Sequence, residues 1–139
     1  MDAGIKSFVM AFMNTKDLLE VVKATYIKYK DGMVDYPFQK NIHQLSKEEL
    51  IDCLYDLFTV DKQAYTNFKE MLYVKFGKSI AEKFLIPYNS KLYACDLNTL
   101  DKDAMGRFFP YAEKEDIIKN FKCGENNSYN ATFVYPKSG

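Results

Sequence analysis

Tyr88-x-x-Lys91-x-Tyr93 spaces two aromatic rings around one cation. That combination suits a planar anionic ligand: a ring face stacks on a base or sugar while the ammonium neutralises a phosphate. The plain alternative is two half-buried rings with a lysine stem running past them to solvent. Arg107, in Gly106-Arg107-Phe108-Phe109-Pro110, is the one arginine of the chain; every other basic side chain is lysine. Its planar fork fits bidentate contact with a carboxylate or phosphate, and a structural salt bridge would use it equally. In Tyr36-Pro37-Phe38-Gln39-Lys40-Asn41, Gln39 and Asn41 could hydrogen-bond a ligand, or the segment is a loop with its rings in the core. Phe133-Val134-Tyr135-Pro136-Lys137-Ser138-Gly139 reads as a strand leading into a turn that brings backbone near a cofactor, or as a domain end.

Several chemistries lack their residues. No GxGxxG or Walker-type loop occurs, so nothing in these 139 residues makes a standard phosphate cradle. His43 is the one histidine, and no His, Cys and carboxylate cluster has metal-ligand spacing, so no metal site is expected. A serine or cysteine hydrolase would have to use His43 as its base, and nothing pairs it with a nucleophile. The 19 acids are too dispersed to select a pair for glycoside hydrolysis. No catalytic residue is assigned.

The elements that must position these groups follow from pattern. Pro87 has no N–H and biases Ile86 away from the α region, which predicts that the helix before it stops or bends there and that the Tyr-x-x-Lys-x-Tyr stretch is not regular helix. Ile5 to Phe12 is a short strand or a helix start. Leu18, Leu19, Val21 and Val22 leave helix and strand open. Thr25 to Tyr29 and Met33 to Tyr36 read as a hairpin around Asp31-Gly32. Ser46 followed by Glu49 is a capping box, with Leu45 and Leu50 as its hydrophobic staple. Leu50, Ile51, Leu54, Leu57 and Phe58 then form one apolar helical stripe. Asp61 is placed to cap a second helix bearing Ala64, Phe68, Met71, Leu72, Lys75 and Phe76, with Gly77 at a left-handed end. A third helix spans about Ser79 to Ile86, a fourth Glu113 to Lys122, and Thr132 to Tyr135 is a strand. The expected fold class is α+β: one mainly helical domain over 1–139 with a small antiparallel sheet or hairpin.

Lysine plus arginine equals aspartate plus glutamate, so formal net charge is zero and no general attraction to nucleic acid or anionic membrane is implied. Cys53, Cys95 and Cys123 are odd in number and widely spaced, which points to a reducing compartment. With no signal-like or long apolar run, a cytoplasmic location is expected. The abrupt ends at Met1-Asp2-Ala3-Gly4 and Pro136-Lys137-Ser138-Gly139 suggest a piece of a longer protein.

Taken in order, Tyr36-Pro37-Phe38-Gln39, Phe76-Gly77 followed by Phe84 through Tyr93, Arg107-Phe108-Phe109-Pro110 and Phe133 through Gly139 resemble the substrate-side portion of the flavin-dependent UDP-galactopyranose mutase and amine-oxidase/protoporphyrinogen-oxidase-like superfamily. The similarity is greatest to bacterial proteins of lipopolysaccharide or capsule biosynthesis. The resemblance implies that Tyr88, Lys91 and Tyr93 contact the nucleotide end of a nucleotide sugar and Arg107 its phosphates, with Phe133, Tyr135 and Gly139 near the flavin. Tyr93 stands where the mutases carry tryptophan, and the second arginine they have after Pro110 is missing. FAD would then belong to a longer parent, held by a flavin-binding domain that these residues lack, and this chain alone would be inert. The alternatives are a non-enzymatic protein-interaction domain with an aromatic surface and, more remotely, a small enzyme using carboxylate or tyrosine chemistry.

Overall fold

The computed structural model describes residues 3–13, 15–122 and 132–137. Its α+β chain divides into two compact units, one of Met1–Thr25 with Glu125–Gly139 and one of Tyr26–Gly124.

In the first unit, Ile5–Phe12 resolves as helix: α1 spans Ala3–Phe12. Strand β1 (Leu18–Val22) pairs antiparallel with a strand near the C-terminus, Thr132–Pro136, in the register Leu19↔Tyr135 and Val21↔Phe133. Lys6 on α1 pairs with Glu20 on β1 at 3.3 Å. The β-branched run, open between helix and strand by residue type, becomes a strand because a partner strand is available to it.

The second unit carries the buried core. Its hairpin joins β2 (Tyr26–Tyr29) to β3 (Gly32–Asp35), and Tyr29 pairs with Gly32. The turn residues are therefore Lys30-Asp31, one position earlier than Asp31-Gly32, and Lys30 takes a positive φ of 50° without being glycine. The Lys30 ammonium reaches the Glu49 carboxylate at 2.6 Å.

Helix α2 (Lys47–Thr59) starts on Ser46, whose hydroxyl accepts from the Glu49 N–H. The Glu49 carboxylate accepts from the Ser46 hydroxyl, not from its backbone. The inward face of α2 consists of Cys53 and Leu57, fully buried, with Leu50 and Leu54 packed alongside. Ile51 and Phe58, expected on that face, point outward and are exposed. Helix α3 (Phe68–Ile80) starts later than Asp61 would place it, capped by Asn67, whose Oδ1 accepts from the Glu70 N–H at 2.9 Å. Phe68, Met71, Leu72 and Phe76 on it are buried, as their spacing predicts, while Ala64 precedes the helix.

Gly77 breaks α3 with φ 76° and ψ 167°. A Cβ there would lie 2.7 Å from the Asp56 carbonyl carbon and 2.9 Å from the Leu57 nitrogen, so the glycine lets α3 cross the backbone of α2. Helix resumes at once because Asp56 caps it from outside: the N–H and hydroxyl of Ser79 both donate to Asp56 Oδ2, at 2.7 and 2.6 Å. Beyond it come a π-helical turn, Ala81–Leu85, then α4 (Ile86–Tyr93) and α5 (Lys114–Lys119). The C-terminal strand of the first unit is β4 in chain order. Ile117 of α5 is buried, whereas its neighbour Ile118 is exposed.

Candidate functional site

The stretch carrying Tyr88 and Lys91 is helical, contrary to expectation. A proline ring crowds the carbonyl four residues back and offers no N–H. The chain meets both demands by widening one turn: the Ile86 N–H bonds to the Ala81 carbonyl five residues earlier. Pro87 then falls in the first turn of α4, where a missing N–H costs little. The helix closes at Ala94 in the left-handed region.

On α4, Tyr88 and Lys91 are three residues apart and share a side. Tyr88 stacks on Phe84, ring centroids 5.0 Å apart and planes 22° apart. Phe84 stacks in turn on Phe38 at 4.6 Å and 13°, and Tyr29 meets Phe38 edge-on at 5.2 Å. Four rings thus form a column from the hairpin to α4. Its inner member, Phe38, is fully buried and its outer member, Tyr88, is 43% exposed. Lys91 is exposed beside that end. Burial, and then the neighbouring Tyr88 phenol, hold the Tyr36 hydroxyl above its ordinary pKa, so the hairpin exit contributes a second phenol near the open end of the column.

Tyr93 lies five residues after Tyr88, roughly 140° around the helix. It is half-buried, edge-on to Phe68 at 6.0 Å, and burial raises its pKa. Phe109 also meets Phe68 edge-on, at 5.8 Å. The segment around Arg107 is therefore anchored on the same ring as Tyr93. Arg107 itself lies in the short turn Gly106–Phe108, of which the structure describes the backbone at this residue. Met105 and Phe109 pack into the core on either side of that turn.

Gln39 and Asn41 serve the fold. Gln39 Nε2 donates to the Pro110 carbonyl, tying the hairpin exit to the segment after Arg107. Asn41 Nδ2 donates to the carbonyls of Asp35 and Pro37, and its Oδ1 accepts from Asn120 at 2.9 Å. Both side chains are buried and satisfied by the protein itself, which is the loop reading of this segment and not the ligand one. His43 rests against Phe121, ring centroids 5.4 Å apart.

Sequence reasoning missed one polar cluster. Glu49 accepts from the Tyr29 hydroxyl at 2.8 Å and from Lys30 at 2.6 Å. The Lys30 bond is the main reason its carboxyl sits below the ordinary 4.5, while burial, followed by Glu49, pushes the Tyr29 phenol up. The capping box pointed to Glu49 as a local helix residue, and no spacing signal connected it to residues some twenty positions away.

In the first unit Phe133 and Tyr135 are two apart on β4 and meet edge-on at 5.4 Å; Phe133 is half-buried and Tyr135 exposed. Gly139 lies outside the described residues. Among the described residues no group of three His, Cys, Asp or Glu side chains could hold a metal ion, and no helix is long and apolar enough to cross a membrane. The described strands form two antiparallel pairs. Among the described residues there is no parallel βαβ unit with a glycine-rich turn, the unit that seats the pyrophosphate of a dinucleotide such as FAD.

No family model matches the sequence. Among solved structures the chain is similar to reduced UDP-galactopyranose mutase, with 25% identity and a TM-score of 0.76 over 94% of this chain. The chain spans 29% of the length of that mutase.

Proposed function

We propose that this chain is the substrate-side part of a flavin-dependent nucleotide-sugar mutase or amine-oxidase-like enzyme of bacterial cell-surface polysaccharide synthesis, acting in the cytoplasm and inactive alone. The observation that carries the reading is the open end of the ring column: Tyr88, backed by Phe84 and Phe38, with Lys91 exposed on the same side of α4. A ring held rigid by a buried stack loses little freedom when a base stacks on its outer face, and a neighbouring ammonium serves the phosphate attached to that base. The fold likeness to the mutase supports the same reading at the scale of the domain. Tyr93 would contribute from the inner side of α4 and Arg107 would hold the diphosphate. Phe133, Tyr135 and Gly139 would face a flavin held by a separate flavin-binding domain of the parent protein, and the chain's 1–139 would act as one substrate-side body.

Calorimetric titration of the chain with UDP tests this. Base–aromatic stacking is worth about 1–3 kcal/mol, so Tyr88→Leu should weaken UDP binding by roughly fivefold or more while leaving the melting temperature nearly unchanged. Arg107→Lys keeps the charge but loses the fork, and should weaken UDP more than UMP. Equal UDP affinity of wild type and Tyr88→Leu would remove the stacking role.

A further inference from the structure

Which way Tyr88 faces is decided upstream of it, in the π turn Ala81–Leu85. There the Ile86 N–H reaches the Ala81 carbonyl, one residue further back than in an α-helix. One extra residue in a turn sets everything after it back by about 100° around the helix axis. Along α4 the outcome is Tyr88 exposed, Asn89 buried, Lys91 and Leu92 exposed and Tyr93 half-buried.

Burial alone does not favour this facing. Asn89 is 2% exposed; its Nδ2 donates to the Leu85 carbonyl at 2.7 Å, and its Oδ1 is buried without a hydrogen-bond partner among the described residues. A buried acceptor left unpaired opposes folding. Meanwhile Tyr88 and Leu92 are 43 and 55% exposed. A regular α turn across Ala81–Leu85 would advance α4 by one angular position. Tyr88 would then move into the place Asn89 holds, Leu92 into that of Tyr93, and the Asn89 amide into the partly open place of Ser90. Against these gains, Ile86 and Tyr93 would pass to the exposed places of Pro87 and Ala94. Burial therefore leaves the two registers near balance.

Pro87 breaks the tie. In the α register the N–H of residue 87 would bond to the Lys83 carbonyl; proline supplies none, and its ring would press on that carbonyl. We propose that Pro87 is a positioning residue of the nucleotide site: by excluding the α register it holds the π turn, which keeps Tyr88 and Lys91 facing outward while leaving the Asn89 oxygen unpaired. The ligand in this statement rests on the function proposed above; the rotation of α4 does not.

The test is Pro87→Ala, read with and without ligand. Without ligand, NMR couplings across hydrogen bonds should link the Ile86 N–H to the Ala81 carbonyl in the wild type and to the Glu82 carbonyl in the variant. Tyr88 should lose its access to a soluble paramagnetic probe, and the melting temperature should not fall. With ligand, UDP should bind about fivefold or more weakly, as when a stacking ring is lost. Deleting Glu82, an exposed residue of the turn, from the Pro87→Ala chain should restore the original facing, and with it Tyr88 access and UDP affinity. A proline that served stability alone would not be rescued by a deletion. An Ile86–Ala81 bond that persists in Pro87→Ala, an unfolded Pro87→Ala chain, or a double variant without rescue would overturn the proposal. A wild type that binds no UDP would remove the nucleotide reading instead, and the couplings and probe access would still decide whether Pro87 sets the facing.

Discussion

Gly77 and Glu49 show how single residues set this architecture. Gly77 combines a backbone conformation that side-chain-bearing residues rarely adopt with a crossing in which a Cβ would meet the α2 backbone within 3 Å. Strain of this kind costs about 1–3 kcal/mol and overpacking against immovable backbone another 1–3 kcal/mol or so. Gly77→Ala should therefore lose roughly 2–5 kcal/mol in urea unfolding, and an unchanged midpoint would refute the crossing. Glu49 holds the non-glycine turn residue Lys30 and the Tyr29 phenol at once. Its folded pKa is depressed, so its contribution is present above the unfolded value of 4.5 and is lost as pH falls through the lower folded value. Glu49→Gln should lower the melting temperature at neutral pH, and the gap to wild type should close in acid below about pH 4.5. A gap independent of pH would mean that the carboxylate charge contributes nothing.

At the scale of the element, α2 is the informative case. Leu57 is fully buried and Ile51 largely exposed, so Leu57→Ala should cost roughly 2–5 kcal/mol and Ile51→Ala no more than about 0.5 kcal/mol. Comparable losses at the two positions would show that α2 is rotated about its axis. Helix α2, its Ser46 start and the inward Phe68, Met71, Leu72 and Phe76 of α3 are legible in the sequence alone, because capping chemistry and amphipathic spacing are local. Periodicity does not split α2's wide apolar arc into an inward and an outward face, since which side meets the core depends on where α3 crosses. Pro87 departs from its expectation for a different reason. The rule that proline ends a helix is local too, but a π turn one step earlier overrides it, and nothing in Ala81 to Leu85 announces that turn. Asn67 in place of Asp61 as the cap of α3 is a similar competition, decided by where Phe68 must enter the core.

For the whole molecule, two units contribute differently. The unit Tyr26–Gly124 holds every fully buried hydrophobic side chain among the described residues, and it carries the ring column. Motif spacing singles out Tyr88 and Lys91, but their presentation comes from distant partners: Phe38 from the hairpin exit and Phe84 from the π turn build the support beneath Tyr88. Tyr93, adjacent in the motif, turns to the opposite side of α4 because five residues of helix carry it there. The chain's likeness to a mutase several times its length sets the scale of the proposed role: a support for one end of a nucleotide sugar, with the reacting end left to other residues. The most direct test is an NMR titration of the chain with UDP-galactose in the absence of flavin. A substrate-side platform should give saturable shifts centred on Tyr88, Lys91 and the Gly106–Phe108 turn, with the outward Ile51 and Phe58 of α2 undisturbed. Saturation with no shift on α4, or no response at any concentration short of aggregation, would rule that platform out.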